Sequence, residues 1–129
     1  MNSHILDASA VLAVINGENG SEVVLQAIEG GDTAISAVNY SEVVAKLATV
    51  GISPDAADTM INALELTVVP FDAETATEAG LLYLIGAKAG LSFADRACLA
   101  LSKQTGLPAL TADKAWAGLK FTPKIRLIR

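Results

Sequence analysis

The chain carries a single cysteine, Cys98, and a single histidine, His4. One cysteine forms no intramolecular disulfide and builds no cysteine-rich metal site. Cys98 sits among Ala97, Leu99, Ala100 and Leu101 and reads as a small core residue. With one histidine, Ser-His and Cys-His nucleophilic pairs have almost nothing to work with. Aromatic residues are 5% of the chain, so the core must be aliphatic. Long hydrophobic runs are missing as well. The run Ala10 to Ile15 falls far short of the roughly 20 residues that a membrane span requires. No basic leader precedes the first apolar stretch and Asp7 interrupts it, so no signal peptide is expected. A reducing cytoplasmic setting, without membrane, is the expectation.

What is present is apolar and acidic. Hydrophobic residues make up 52% of the 129 residues and the mean hydropathy is +0.46, enough for one domain, 1–129, with a sizeable core. The formal net charge is −5, unevenly spread. Met1 to Ala87 holds twelve acids and one base, Lys46, whereas Lys88 to Arg129 holds eight bases and two acids, Asp95 and Asp113. A basic rim around an acidic pocket would suit a polyanionic substrate. The plainer reading is a solvated C-terminal face.

Short apolar runs alternate with helical stretches. Strands are expected at His4–Leu6, Thr33–Ile35, Thr67–Val69, Pro108–Leu110 and Ile125–Ile128. Helices are expected at Ser9–Asn16, Ser21–Glu29 and Asn39–Val50, and from Ser53-Pro54 to Leu64. Pro54 suits the first helical turn. A long helix is expected from the Asp72 cap to Ala89, another from Ser92 to Thr105, and a short turn or helix at Asp113–Ala117. Glycines at 17, 20, 30, 51, 90 and 106 supply the stops. This alternation argues for an α/β domain with a mainly parallel sheet covered on both faces.

In such sheets, sites form beyond the carboxyl ends of the strands. Asp7 follows the first strand, Glu42 lies one helical turn after the second, and Asp113 follows the Pro108–Leu110 strand. These three are expected at one edge. Asp95, in the first turn of a helix, joins them if that helix starts at the same edge. Each acid also has a structural reading. Ser92-x-x-Asp95 is a capping box, Asn39-x-x-Glu42 has nearly the same form, and Asp7 and Asp113 can each cap a following helix. Four carboxylates gathered together repel unless a cation binds, and hard oxygen ligands suit Mg²⁺ or Mn²⁺. Ser9 and Thr111 are polar neighbours. Arg96 and Lys114 each follow a site acid and are candidates for phosphate contact.

Asp7-Ala-Ser, Asn39-Tyr-Ser-Glu42, Ser92-Phe-Ala-Asp95-Arg-Ala-Cys-Leu-Ala-Leu and Leu-Thr-Ala-Asp113-Lys resemble the four acidic motifs of PIN-domain ribonucleases. Their order and spacing are similar to those of small VapC-type toxins of type II toxin–antitoxin modules. The resemblance implies a PIN-like three-layer α/β fold with a central, mainly parallel, short-stranded sheet. It implies an endoribonuclease that hydrolyses phosphodiester bonds with water activated by Mg²⁺ or Mn²⁺. It also implies a cognate antitoxin, in a homodimer or a toxin–antitoxin hetero-oligomer. Carried over by motif, Asp7, Glu42, Asp95 and Asp113 form the acidic site, with Asp7 and Asp95 as the direct metal ligands and Glu42 and Asp113 completing the shell. Two departures stand out. Ala94 occupies a place where glycine is common, which tightens the turn near Asp95. Ser92 stands where some relatives carry a further acid, which favours one metal over two.

Rival readings fit less well. A haloacid-dehalogenase-type phosphatase wants a second Asp two residues after the first, and that position is Ser9. A receiver domain wants an acidic pair beside the first strand, and Asp7 has no adjacent acid. A catalytically vestigial PIN-like scaffold that binds RNA or protein is the remaining alternative.

Overall fold

Short apolar strands, each followed by a helix, bury both faces most simply in a parallel sheet between two helical layers. The computed structural model, which describes residues 2–121 and 123–129, has this form. Strands β1 (Asn2–Leu6), β2 (Asp32–Ser36), β3 (Thr67–Val69), β4 (Ala109–Thr111) and β5 (Ile125–Leu127) make one sheet in the order β3-β2-β1-β4-β5. Every neighbouring pair is parallel. β1 is therefore central, and the chain's direction of travel across the sheet reverses between β1 and β4. That switch point is where an open sheet forms its crevice.

The helices are α1 (Ala8–Asn16), α2 (Ser21–Glu29), α3 (Ala37–Thr49), α4 (Pro54–Asn62), α5 (Ala73–Leu81), α6 (Tyr83–Gly86) and α7 (Phe93–Thr105), with a 3-10 turn at Lys114–Gly118. Successive strand residues point to opposite faces. Leu6, Ile35 and Leu110 accordingly join one core with residues of α1 to α4, among them Val11, Val24, Val43, Leu47 and Ile61. Ile5, Ala34 and Ala109 join a second core with Ala79, Leu82, Leu99 and Trp116. Cys98 is buried in that second core, as its apolar neighbours suggest. No helix among the described residues is long and apolar enough to cross a membrane.

The expected strands and helices are present, with three differences of substance. First, α3 begins at Ala37, capped by the Ser36 hydroxyl, which accepts from the Val38 N–H. Asn39 therefore lies inside the helix, and Asn39-x-x-Glu42 is not a capping pair. Second, the long helix expected from Asp72 to Ala89 is broken into α5 and α6. Its backbone tightens to an i→i−3 bond from the Ile85 N–H to the Leu82 carbonyl, just after Gly80. Glycine inside a helix weakens it by about 1 kcal/mol relative to alanine. At Gly86 a Cβ would collide with the Leu91 side chain, so the close return of the loop requires glycine there. Third, Ala94 causes no tightening. It is the second residue of α7, in ordinary helical backbone. After β5 the chain closes against the α1–α2 loop. There Gly20, at φ +93°, leaves room for the Ile128 carbonyl.

The sheet order predicts an asymmetry in stability. Ile5 is fully buried in central β1, whereas Leu127 on edge strand β5 is 37% exposed. Ile5→Ala should lower the unfolding free energy by about 2–5 kcal/mol. Leu127→Ala should lower it by less than about 1 kcal/mol. Urea denaturation of the two variants checks this, and equal losses would contradict the strand order.

Candidate active site

Asp7 directly follows β1 at the switch point. It is 4% exposed, and its backbone N–H bonds the Leu110 carbonyl at 3.0 Å, which ties it to β4. A buried carboxylate needs partners, and two hydroxyls supply them. Ser9 Oγ donates to Asp7 Oδ2 at 2.8 Å, and Thr111 Oγ1 donates to the same oxygen at 2.9 Å. Each hydroxyl in turn accepts a backbone N–H: Ala112 to Ser9 at 2.9 Å, and Asp113 to Thr111 at 3.0 Å. Both hydroxyl protons are thereby committed to Asp7, and the 3.2 Å Ser9–Thr111 separation is a contact between two donors. Oδ1 of Asp7 is left without a hydrogen bond among the described residues.

The electrostatics around Asp7 are unfavourable to its charge. Burial pushes its carboxyl up to about 6. The hydrogen bonds from Ser9 and Thr111 oppose the rise, while the negative charges of Glu42 and Asp95 add to it. Cys98, buried beneath, has its thiol pushed well above the usual range by burial and then by Asp7, Asp95 and Glu42. The same three acids therefore share one field.

Asp95 reaches this field from the start of α7. The Ser92 N–H donates to Asp95 Oδ2 at 2.9 Å, and the Asp95 N–H donates to Ser92 Oγ at 3.1 Å, a complete capping box. The capping reading is satisfied, and the capped helix start keeps Asp95 within electrostatic reach of Asp7. What holds it there is Asn39. Fully buried on α3, it donates Nδ2 to the Ala94 carbonyl at 3.0 Å, locking α3 to the first turn of α7. Its Oδ1 is buried and has no hydrogen-bond partner among the described residues.

Asp113 behaves differently. It is exposed and caps the 3-10 turn by accepting from the Ala115 N–H at 3.0 Å. It is not among the charges acting on Asp7. Glu42 and Asp95 therefore lie within electrostatic reach of Asp7 without closing around a common point among the described residues, and Asp113 stands exposed, linked to Asp7 through Thr111. Lys114 is exposed beside it. Arg96 does not face the acids. Its guanidinium donates to the Ala79 carbonyl at 3.0 Å and lies over the Tyr83 and Phe93 rings.

The basic C-terminal third does not form one rim. Lys103 pairs with Glu78 at 3.4 Å, Arg126 bonds His4 Nε2 at 3.1 Å, and Lys88 and Lys120 line a separate cleft. Arg129 does approach the site. With Lys46 and Ser9 it lines a cavity of about 370 Å³ between α1 and α3, while paired to Glu18 at 3.1 Å. Sequence reasoning missed Lys46 and Asn39. The signals were there: Lys46 is the lone base in an acidic stretch, one helical turn after Glu42, and Asn39 shares that helix face.

All available donors near Asp7 are hard oxygens, the chemistry that suits Mg²⁺ or Mn²⁺. Among the described residues, no three His, Cys, Asp or Glu side chains stand close enough together to enclose a metal ion. A cation that keeps several of its waters and takes one or two carboxylates, as Mg²⁺ does, fits such a spread set. The free Oδ1 of Asp7 and the unpartnered Oδ1 of Asn39 are consistent with that fit.

Comparison with known proteins bears on the family and the fold. A family model described as PIN domain matches residues 4–121. No curated protein matches the chain. Solved structures resemble it over nearly its full length. One is a toxin–antitoxin complex from Klebsiella pneumoniae, at TM-score 0.74 and 19% identity, covering 98% of each chain. Another is a DNA-bound VapBC from Salmonella typhimurium, at TM-score 0.71 and 17% identity, covering 98% of this chain and 97% of that one. A third is VapC20 of Mycobacterium tuberculosis, a sarcin–ricin-loop-cleaving toxin, at TM-score 0.70 and 17% identity, covering 91% and 96%. At these identities the likeness is one of fold.

The raised Asp7 carboxyl sets a pH dependence. Its folded value, about 6, exceeds the unfolded value near 3.8. The folded state thus holds the proton more tightly, and stability falls as pH rises through that window. Asp7→Asn should match wild type near pH 4 and exceed it at pH 8 by up to about 3 kcal/mol in metal-free buffer. Urea melts at the two pH values check this; a loss of stability at pH 8 would contradict it.

Proposed function

The chain belongs to the PIN-domain family, and on that premise we propose that it is a Mg²⁺- or Mn²⁺-dependent endoribonuclease, the toxin of a toxin–antitoxin pair. The observation that carries this is Asp7, a buried carboxylate set in the field of two further acids with one oxygen left free. A divalent cation is what turns that repulsion into binding. Its solved neighbours support the rest: one is half of a toxin–antitoxin complex and another cleaves the sarcin–ricin loop.

The residues divide the work. Asp7, whose Oδ1 is free, would hold the ion, with Glu42 and Asp95 contributing directly or through water. When bound, the ion lowers the pKa of water and neutralises charge on a phosphate. Ser9 and Thr111 fix the Asp7 carboxylate in one orientation by holding Oδ2. Asn39 positions Asp95 by holding the start of α7. Lys46, Arg129 and Lys114 neutralise phosphates flanking the scissile one. Attack by water on the phosphorus leaves a 5′-phosphate and a 3′-OH, and no protein nucleophile takes part. Leu81, Tyr83, Leu84 and Ile85 leave exposed apolar surface along α5 and α6. Surface of that kind supports a protein partner such as an antitoxin.

One observation favours the second reading, a catalytically vestigial scaffold that binds RNA or protein. The acids do not close into a three-ligand pocket among the described residues. Cleavage separates the two. Purified wild type should cut total cellular RNA into discrete products with Mn²⁺ and not with EDTA. Asp7→Asn should lose at least about a hundredfold in rate under the same conditions. Full activity in Asp7→Asn would refute the assignment of the site, and no cleavage by wild type in Mn²⁺ would favour the scaffold.

A further inference from the structure

Phe93 is the first residue of α7, two positions before Asp95, and it is 51% exposed. Its ring is nevertheless fixed. The Phe71 ring meets it edge-on, with centroids 5.5 Å apart and planes at 88°. The Arg96 guanidinium lies 5.9 Å from its centroid, and that guanidinium is itself anchored by the Ala79 carbonyl and the Tyr83 ring. The ring lines an open groove of about 510 Å³ together with Val38, Ser41 and Glu42. An apolar ring held rigidly at the edge of an acidic site is already ordered before anything binds to it.

We infer that Phe93 is a stacking platform for a nucleobase of the single-stranded RNA next to the scissile phosphate, an inference that rests on the ribonuclease reading. Charge decides which part of the nucleotide sits there. Glu42 lines the same groove and repels phosphate, so the uncharged base faces the ring. In the groove between α1 and α3, Lys46 and Arg129 lie beside Ser9; Arg129 is paired to Glu18, so it is Lys46 that draws the backbone there. The strand then crosses the acids between the two grooves. Aromatic stacking accepts any base, so Phe93 confers affinity for single strands and little sequence preference. Arg96, read from sequence as a phosphate contact, serves here to hold the ring.

The test is binding of a short fluorescein-labelled oligouridine to the full chain in metal-free buffer at low salt, followed by anisotropy. Phe93→Ala should raise Kd by about 5- to 100-fold, and Phe93→Leu by a similar factor, whereas Phe93→Trp should stay within about twofold of wild type. An unchanged Tm in Phe93→Ala shows that the fold is intact; if it falls, the Trp and Leu pair decides. Wild-type affinity in Phe93→Leu would mean apolar contact without stacking and would overturn the inference. So would unchanged binding in Phe93→Ala, or no binding by wild type. A change of oligomeric state in Phe93→Ala with RNA binding intact would assign the ring to a protein interface and would also overturn it. If Phe93 governs binding but no variant, wild type included, cleaves RNA with Mn²⁺, the platform stands and the ribonuclease reading falls.

Discussion

A carboxylate held out of water at the end of the central strand is the constraint around which this site is built. Asp7 is placed by β1, tied by its N–H to β4, and held by two hydroxyls that come from α1 and from the end of β4. Those hydroxyls are themselves oriented by backbone N–H groups of the loop after β4. Nothing in this chain of bonds can turn without breaking another. The strand order makes the arrangement possible, because only at the β1–β4 switch point do two neighbouring strands send their following segments to different places.

Around Asp7 the fold tolerates a repulsion it does not relieve. Glu42 and Asp95 act on Asp7 and on the Cys98 thiol below it, and no ion pair among the described residues joins these acids to a base. The nearby cations are placed otherwise: Arg96 on two rings, Arg129 on Glu18, Lys46 at the mouth of a groove. A protein could lower this electrostatic cost with a single lysine. Acids left without a cationic partner suit an ion that arrives from solution and keeps part of its water, which is the reading proposed above.

The fold was largely legible from the sequence, because alternating short apolar runs and glycine-stopped helices leave few alternatives to a covered parallel sheet. Asp7 and Asp95 were legible for the same reason, as each follows a recognisable strand end or cap. Other features were not. The end of α6 depends on Leu91 folding back onto Gly86, a contact that local propensity does not carry. Asn39 looked like half of a cap, since nothing in the chain before it marks Ser36 as the stronger one. Asp113 follows the β4 strand and Arg96 follows a site acid in sequence, yet the 3-10 turn engages the one and the rings of Tyr83 and Phe93 hold the other. Position along the chain carries neither the cap that Asp113 makes nor the rings that hold Arg96.

Binding of Mn²⁺ itself tests the account most directly, measured by the loss of the free-ion electron paramagnetic resonance signal at pH 7.5 and at pH 5. If the buried Asp7 carboxylate is the principal ligand, Mn²⁺ must displace a proton held with a pKa of about 6. Binding should then be clear at pH 7.5, weaken about tenfold at pH 5 and vanish in Asp7→Asn. Binding that is absent at pH 7.5, or that survives unchanged in Asp7→Asn, would contradict the assignment of this site as a metal centre.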